Sequence, residues 1–297
     1  MQKYWVLSLA LLLSLPVSGH VGSHTRIQKI GMEIEAMASA PIGERTGLLA
    51  RLHQLRGEEF LVMRNWDRAE ADFRRALQLQ PSGTRVLLPL ARMFHGRGDE
   101  GRALDEISRY LRRHADDEQA LLLRSRILQA LGRYREALPD LESVLGLQPR
   151  PDVALVLERA DLQARLGQWS AAVGGIRQAE EVLGRLLVLE NKRIDLLRRQ
   201  GDTEAALAVL DRVLTQVPRK ERWLLLKAQL LEQAGRRSAA RKQYRGVLDT
   251  LDRLPPRLSR VPAMKNLRKQ ARQGLIEGNT KKSIVSADTA ELLTGNP

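Results

Sequence analysis

Residues 131–149 read LGRYREALPDLESVLGLQP, and the fold is decided by what stands where in that stretch. Ala137, Leu141, Val144 and Leu145 follow Gly132 at helical spacing, and Pro149 closes the run. Upstream, Leu121, Leu128 and Leu131 keep an apolar period near 3.6, so the segment reads helix, tight turn, helix. The same arrangement recurs along the chain. Ala69, Ala103, Ala137, Ala172, Ala206 and Ala240 stand 34, 34, 35, 34 and 34 residues apart, and Gly98, Gly132, Gly167, Gly201 and Gly235 each lie five residues before their alanine. The first copy carries Arg64 in place of glycine. Glycine suits a residue that ends one helix at positive φ, and alanine suits a crossing where two helices come close. Pro81, Pro149, Pro218 and Pro255 close several copies, because a residue without an amide donor cannot continue a helix.

These residues resemble the tetratricopeptide repeat. Residues 65–81, NWDRAEADFRRALQLQP, supply Trp66, Ala69, Phe73, Ala76 and Pro81, and the third copy supplies Gly132, Tyr134, Ala137, Leu141, Val144 and Pro149 in the same positions. Six repeats fall at 50–83, 84–117, 118–151, 153–186, 187–220 and 221–254, with the extra residue near Pro151 and Asp152. Gly184 and Ala115 stand where proline is usual, and Glu190 occupies an early position that is usually bulky. The resemblance implies an all-α protein, a right-handed superhelical solenoid of about six helix-turn-helix repeats. Two prolines test this reading, since an interior proline costs a helix about 3 kcal/mol and a first-turn proline costs little. Pro139 is expected within a first turn, and Pro89 predicts a helix that starts late or bends.

A stacked array exposes an apolar face at each end and needs a terminal element with a polar outer side. Within 255–277, Met264, Leu267, Ala271 and Leu275 form one stripe opposite Lys265, Arg268, Lys269 and Arg272, and Pro262 is placed to open that capping helix. At the other end, within 20–49, residues 25–38 predict a leading helix with Ile27, Ile30 and Ile34 on one side, followed by a loop from Ser39 to Arg45. Residues 1–19 combine Lys3, an apolar run from Val6 to Leu15 and small residues at 17–19, the pattern of a cleaved export signal. The run is too short for a membrane span, which takes about 20 residues. Residues 278–297 lose apolar periodicity and read as a disordered tail.

The 297 residues carry 49 Lys and Arg against 35 Asp and Glu, a net charge of +14, and include no cysteine. Disulfides, thiolate metal sites and thiol nucleophiles are therefore excluded. The five histidines are scattered, and no metalloprotease, serine-hydrolase, phosphate-loop or dinucleotide motif is present. The expectation is a non-enzyme without cofactor or metal. A basic protein in the cytoplasm would suggest nucleic acid; the expected export, to a bacterial periplasm, redirects the charge toward acidic proteins, lipid headgroups or acidic polysaccharides, and no nucleic acid is expected.

In tetratricopeptide proteins the first helices line a concave groove that takes extended or helical peptides. The resemblance places Leu88, Leu122, Leu157, Asn191 and Leu225 in one inward row, and Arg92, Arg126, Asp161, Asp195 and Gln229 in a second. With Arg85 and His95 nearby, the N-terminal half is expected to attract carboxylates, which arginine grips with paired hydrogen bonds. The C-terminal half is expected to attract cations or stay neutral. The lysine and asparagine clamp of the chaperone-binding members is lacking. Two functions compete: a scaffold that holds a partner protein in this groove within an envelope complex, or a binder of anionic lipid headgroups or acidic polysaccharide through Arg257, Arg260, Lys265, Arg268, Lys269 and Arg272. That basic stretch also reads as a plain solvated cap. Oligomeric state stays open.

Overall fold

The computed structural model describes residues 19–38 and 42–276; the expected signal at 1–19, except its last residue, the start of the expected loop at 39–41 and the expected tail at 278–297 lie outside them. All regular structure among the described residues is helical. The chain divides into two compact units, residues 1–149 and 150–297. In the first unit, α1 (Gly19–Ala38), α2 (Ile42–Val62), α3 (Trp66–Leu79), α4 (Leu87–Arg97), α5 (Glu100–Leu111), α6 (Glu118–Ala130) and α7 (Tyr134–Leu147) follow in order. The second holds α8 (Val153–Arg165), α9 (Trp169–Leu183), α10 (Leu187–Gln200), α11 (Thr203–Gln216), α12 (Glu221–Gln233), α13 (Arg237–Asp252), a one-turn α14 (Pro256–Ser259) and α15 (262–276). From α2 to α13 they form six helix pairs, each with a second helix opening within three residues of its turn residue.

The alanine register is the contact line of these pairs. Ala69, Ala103, Ala137, Ala172 and Ala206 are 0% exposed and Ala240 is 2% exposed, so a larger side chain at any of them would have to push two helices apart. The glycine register supplies the turns. Gly98, Gly132, Gly167, Gly201 and Gly235 have φ between +72° and +87°. Their amides, and those of the residues after them, close back on the preceding helix: Gly132 N–H donates to the Gln129 carbonyl at 2.9 Å and Arg133 N–H to the Leu128 carbonyl at 2.8 Å. Arg64 makes the same turn at φ +55°, with its N–H on the Leu61 carbonyl and that of Asn65 on the Phe60 carbonyl. An L-residue held there is strained where glycine is not.

Each second helix ends before its closing proline: α3 at Leu79, α7 at Leu147, α11 at Gln216 and α13 at Asp252. Pro89 is accommodated by a late start: Thr84–Val86 form a 3-10 turn, and the α-helix begins only at Leu87, which leaves Pro89 in its first turn. Pro139 departs from expectation. Helix α7 starts at Tyr134, so Pro139 lies inside it, and the Arg135 carbonyl loses its intrahelical donor. Both residues are exposed, so water replaces the missing donor at little cost.

The N-terminal end also differs from the simple reading. Helix α2 begins at Ile42, well before the expected loop ends, because Leu48 and Leu49 pack with Leu52 against Ile30, Ile34 and Met37 of α1. The opposite end is closed by α15, whose Ala271 is fully buried in the core of the second unit, with Met264, Leu267 and Leu275 packed beside it. Residue 262 is its first helical residue, as Pro262 favours.

A tie between the helices of a pair escapes the apolar pattern altogether. Arg56 holds Asp72 through two hydrogen bonds, Nε to Oδ2 at 2.8 Å and Nη2 to Oδ1 at 2.7 Å, and His53 Nδ1 stands 2.8 Å from Oδ1. Two repeats on, Arg124 holds Asp140 in the same way at 2.7 and 2.5 Å. In the fourth repeat Gly175 takes the aspartate's place; a Cβ there would come within 2.4 Å of Arg159 Nη2, so the guanidinium lies where a carboxylate side chain would begin. In the fifth and sixth, Arg193 and Lys227 turn instead to Glu180 and Asp211 on the preceding second helix. Burial opposes ionisation of Asp72, but the hydrogen bonds from Arg56 and His53 and their positive charges outweigh it and hold its carboxyl below the usual range.

Three outcomes are expected. Arg64→Gly relieves backbone strain of about 1 kcal/mol while adding unfolded-chain entropy, for a net gain of about 0.5 kcal/mol in urea unfolding. Arg124→Ala leaves the Asp140 carboxylate, 5% exposed, without its guanidinium and costs about 2 kcal/mol, whereas Arg126→Ala, exposed on the same helix, changes stability by less than about 0.5 kcal/mol. Because the Asp72 carboxyl is depressed in the folded state, its contribution is complete above the unfolded value near 4 and drains away as pH falls through the lower folded value. Asp72→Asn is therefore less stable at neutral pH and shows a shallower loss of stability below pH ~4.

Candidate functional site

The free faces of the first helices α4 and α6 carry the residues expected to bind in the first unit. Leu88 and Leu122 are half-buried there, unlike Leu87, Leu90, Leu121 and Leu123, which point into the core. Arg85, Arg92 and Arg126 are exposed. The Arg92 guanidinium donates to Gln119 Oε1 at 2.6 Å, which ties α4 to the start of α6. Arg85 and Arg126 form no ion pair among the described residues. His95 is engaged elsewhere: its Nδ1 is 2.7 Å from Glu100 Oε2 at the start of α5, across the Gly98 turn.

Behind Arg85 and Arg92 lies a polar cluster absent from the sequence reading. The Tyr110 hydroxyl donates to Asp117 Oδ2 at 2.7 Å, and its ring stacks on His114 at 4.5 Å. His114 Nε2 meets the Thr84 hydroxyl at 3.2 Å. Burial, reinforced by the bond to Asp117, pushes the Tyr110 hydroxyl up to about 12. Burial works against the Asp117 carboxylate as well, but the Tyr110 hydroxyl, the amides of Ala120 and Gln119 and the Arg92 charge together hold it below the usual range. Asp117 is also the N-cap of α6, accepting from Ala120 N–H at 3.0 Å. The cap was legible as an acidic residue before an apolar run; the Tyr110 bond, made across a turn from the previous helix, has no sequence signal.

In the second unit, Leu157, Asp161 and Asp195 come together. They line a recess of about 430 Å³ with Val188, Asn191, Lys192, Ile194, Arg198, Arg222 and Leu226. Both acids have basic partners: Asp161 bonds Lys192 of α10, and Asp195 pairs with Arg198 and Arg199 at 2.9 Å each. With Arg222 also in the wall, the recess presents as many cationic as acidic groups, or more. The acids were legible in the register; their partners on the next turn and the next helix remove the free negative charge that the register alone suggested.

The row of leucines stops short of the sixth repeat. Leu225 is 5% exposed within the core cluster that α15 closes, and Leu226 faces the recess instead. Gln229 donates to Gln270 of α15 at 3.3 Å, so the terminal helix stands beside α12 where another first helix would stand. A second unforeseen feature is an apolar edge around Gly184, with Val182 59%, Leu186 38%, Leu187 46% and Val188 45% exposed. Gly184 itself has φ +81° and ψ 175°, a combination open only to glycine, which explains why proline is replaced there.

The basic stretch is exposed at Arg257, Arg260, Lys265, Lys269 and Arg272, while Arg268 turns back to Asp252 of α13. Among the described residues no group of three or more His, Asp or Glu side chains is placed to hold a metal ion, and no helix is long and apolar enough to cross a membrane.

The chain is similar to known proteins in sequence and in fold. A cellulose synthase operon protein C from Xanthomonas axonopodis pv. citri (strain 306) is 24% identical over 217 residues, 72% of this chain and 14% of that protein; the chain thus spans about one seventh of that relative's length. In the structure of Naa15/Naa10 bound to HypK-THB, one chain superposes with a TM-score of 0.61 at 14% identity, over 91% of this chain and 40% of that one. A tetratricopeptide repeat protein from Parabacteroides merdae ATCC 43184 superposes with a TM-score of 0.49 at 16% identity, over 84% and 92% of the two chains. The model of the tetratricopeptide repeat family matches residues 55–118, 122–187 and 191–255, three double repeats that run from the end of α2 to the end of α13. With its glycine turns and buried alanines in that same register, the chain belongs to the tetratricopeptide repeat family.

Proposed function

We propose that this protein is a non-enzymatic scaffold of the bacterial cell envelope that holds a partner protein or peptide on the free faces of its first helices, for assembly or maturation of an envelope complex. The observation that carries this reading is the leucine row, Leu88 and Leu122 in one unit and Leu157 in the other, left half-buried where Leu87, Leu90, Leu121 and Leu155 on the same helices are buried; Leu226 stands half-buried beside Leu157 in the recess. Half-buried apolar groups framed by charges are what an interface core needs before its partner arrives. In the first unit, Arg85 and Arg126 have no carboxylate of their own, which favours a partner with acidic side chains at that end. In the second, the recess supplies apolar walls and paired charges, and Val188 joins it to the exposed edge at Val182, Leu186 and Leu187. The envelope setting rests on the export-type sequence at 1–19 and on the relative from a cellulose synthase operon, and it fits a chain that lacks cysteine.

The test is affinity capture of crosslinked partners from the native envelope fraction, washed at low and high salt. The expected result is one or two proteins retained by the wild type at high salt and recovered at least tenfold less by Arg92→Glu/Arg126→Glu. Unchanged recovery by that variant, with loss when Lys265, Lys269 and Arg272 are reversed, would sink the reading.

A further inference from the structure

The segment from Pro255 to Ile276 contains six basic residues and no acidic one. Arg268 is the exception within the segment, tied to Asp252; Arg257, Arg260, Lys265, Lys269 and Arg272 form no ion pair among the described residues. The inner side of α15 is committed to the core through Ala271, Met264, Leu267 and Leu275. Lys265, Lys269, Arg272 and Ile276, spaced at four, three and four residues, therefore share the outer side. There the basic side chains and Ile276 surround a shallow recess of about 480 Å³, walled by their hydrocarbon stems. Three apolar side chains stand out among the charges: Leu258 41%, Val261 39% and Ile276 65% exposed.

We propose that α15 and the turn before it dock this protein on an anionic phospholipid bilayer. A cap needs only a polar outer face, and a mixture of signs serves solubility better than one sign alone. Five uncompensated cations interleaved with exposed aliphatic groups fit a different surface. Protein interfaces favour aromatic anchors, and 255–276 contains no aromatic residue. A bilayer with acidic headgroups asks for no geometric register: long basic side chains reach the phosphates while their stems and the neighbouring leucine, valine and isoleucine enter the headgroup region. The attraction of each cation is modest and acts within a Debye length, so docking is peripheral, reversible and sensitive to salt. It is independent of partner binding by the first helices, which use other residues.

The experiment is co-sedimentation of the protein with vesicles of phosphatidylcholine alone and with about one third phosphatidylglycerol, at physiological salt. The wild type is expected to sediment with the mixed vesicles only and to be released as salt rises. Lys265→Glu/Lys269→Glu/Arg272→Glu is expected to lose roughly a hundredfold or more in partitioning, with its helical circular dichroism unchanged. Lys265→Gln/Lys269→Gln provides the same readout with a smaller loss should the triple reversal disturb folding. Arg92→Glu/Arg126→Glu is expected to bind vesicles as the wild type does. Failure to sediment with mixed vesicles, equal sedimentation with neutral ones, or wild-type binding by the triple variant would overturn the proposal. So would retention on an immobilised acidic polysaccharide as strong as retention on the mixed vesicles.

Discussion

Everything else in this molecule depends on two helices crossing at the distance that a methyl group allows. Once in every repeat a buried alanine sets that distance, and the turn five residues earlier must bring the second helix back at the matching angle, which a residue at positive φ accomplishes. Spacing of turn and crossing leaves little freedom to either. The first repeat shows how strong the constraint is: Arg64 adopts the left-handed conformation at a cost, and does so without displacing Ala69, which stays at 0% exposure. Side chains that close the array obey the same rule of close approach. At Gly274 of α15 a Cβ would stand 2.3 Å from the Tyr244 ring, so the terminal helix can seat on α13 only where it has no side chain.

Charge then distinguishes the repeats that geometry makes alike. In the first and third, an arginine on the first helix is tied to an aspartate on its own second helix. In the fifth and sixth, the cation reaches back to the preceding second helix and ties neighbouring repeats together. The fourth has a glycine where the aspartate would be, and the guanidinium fills the space. An arginine can serve either tie because its planar fork pairs with a carboxylate from several directions. The cations on the opposite, free face have no such duty at Arg85 and Arg126, and that difference between faces of one helix, Arg124 inward and Arg126 outward, separates support from recognition.

The periodic features of the fold were legible in the sequence because each repeats a local requirement: glycine at the turn, alanine at the crossing, proline after the helix, and an apolar stripe on the cap. What was illegible is pairwise and long-range. Pro139 sits mid-helix because its face is solvated, which the run of residues around it does not reveal. Leu225 leaves the leucine row because α15 closes over that end, a contact between segments some 40 residues apart in sequence. Among the expected binding residues, Leu157, Asp161 and Asp195 line one recess, yet the register does not show that Lys192, Arg198 and Arg199 neutralise the two acids. His95 was placed on the right helix, with a partner, Glu100, that takes it out of play.

Recognition of a partner protein rests on the first helices, and not on the second helices or the cap. Hydrogen exchange of the full chain, free and with the captured partner, tests it most directly, since protection reports which backbone segments are stabilised on binding. Added protection is expected in 87–97 and 118–130, in 153–165 and 187–200, or in both sets, with α5, α7, α9 and α11 little changed. Protection confined to the second helices or to 262–276 would contradict it.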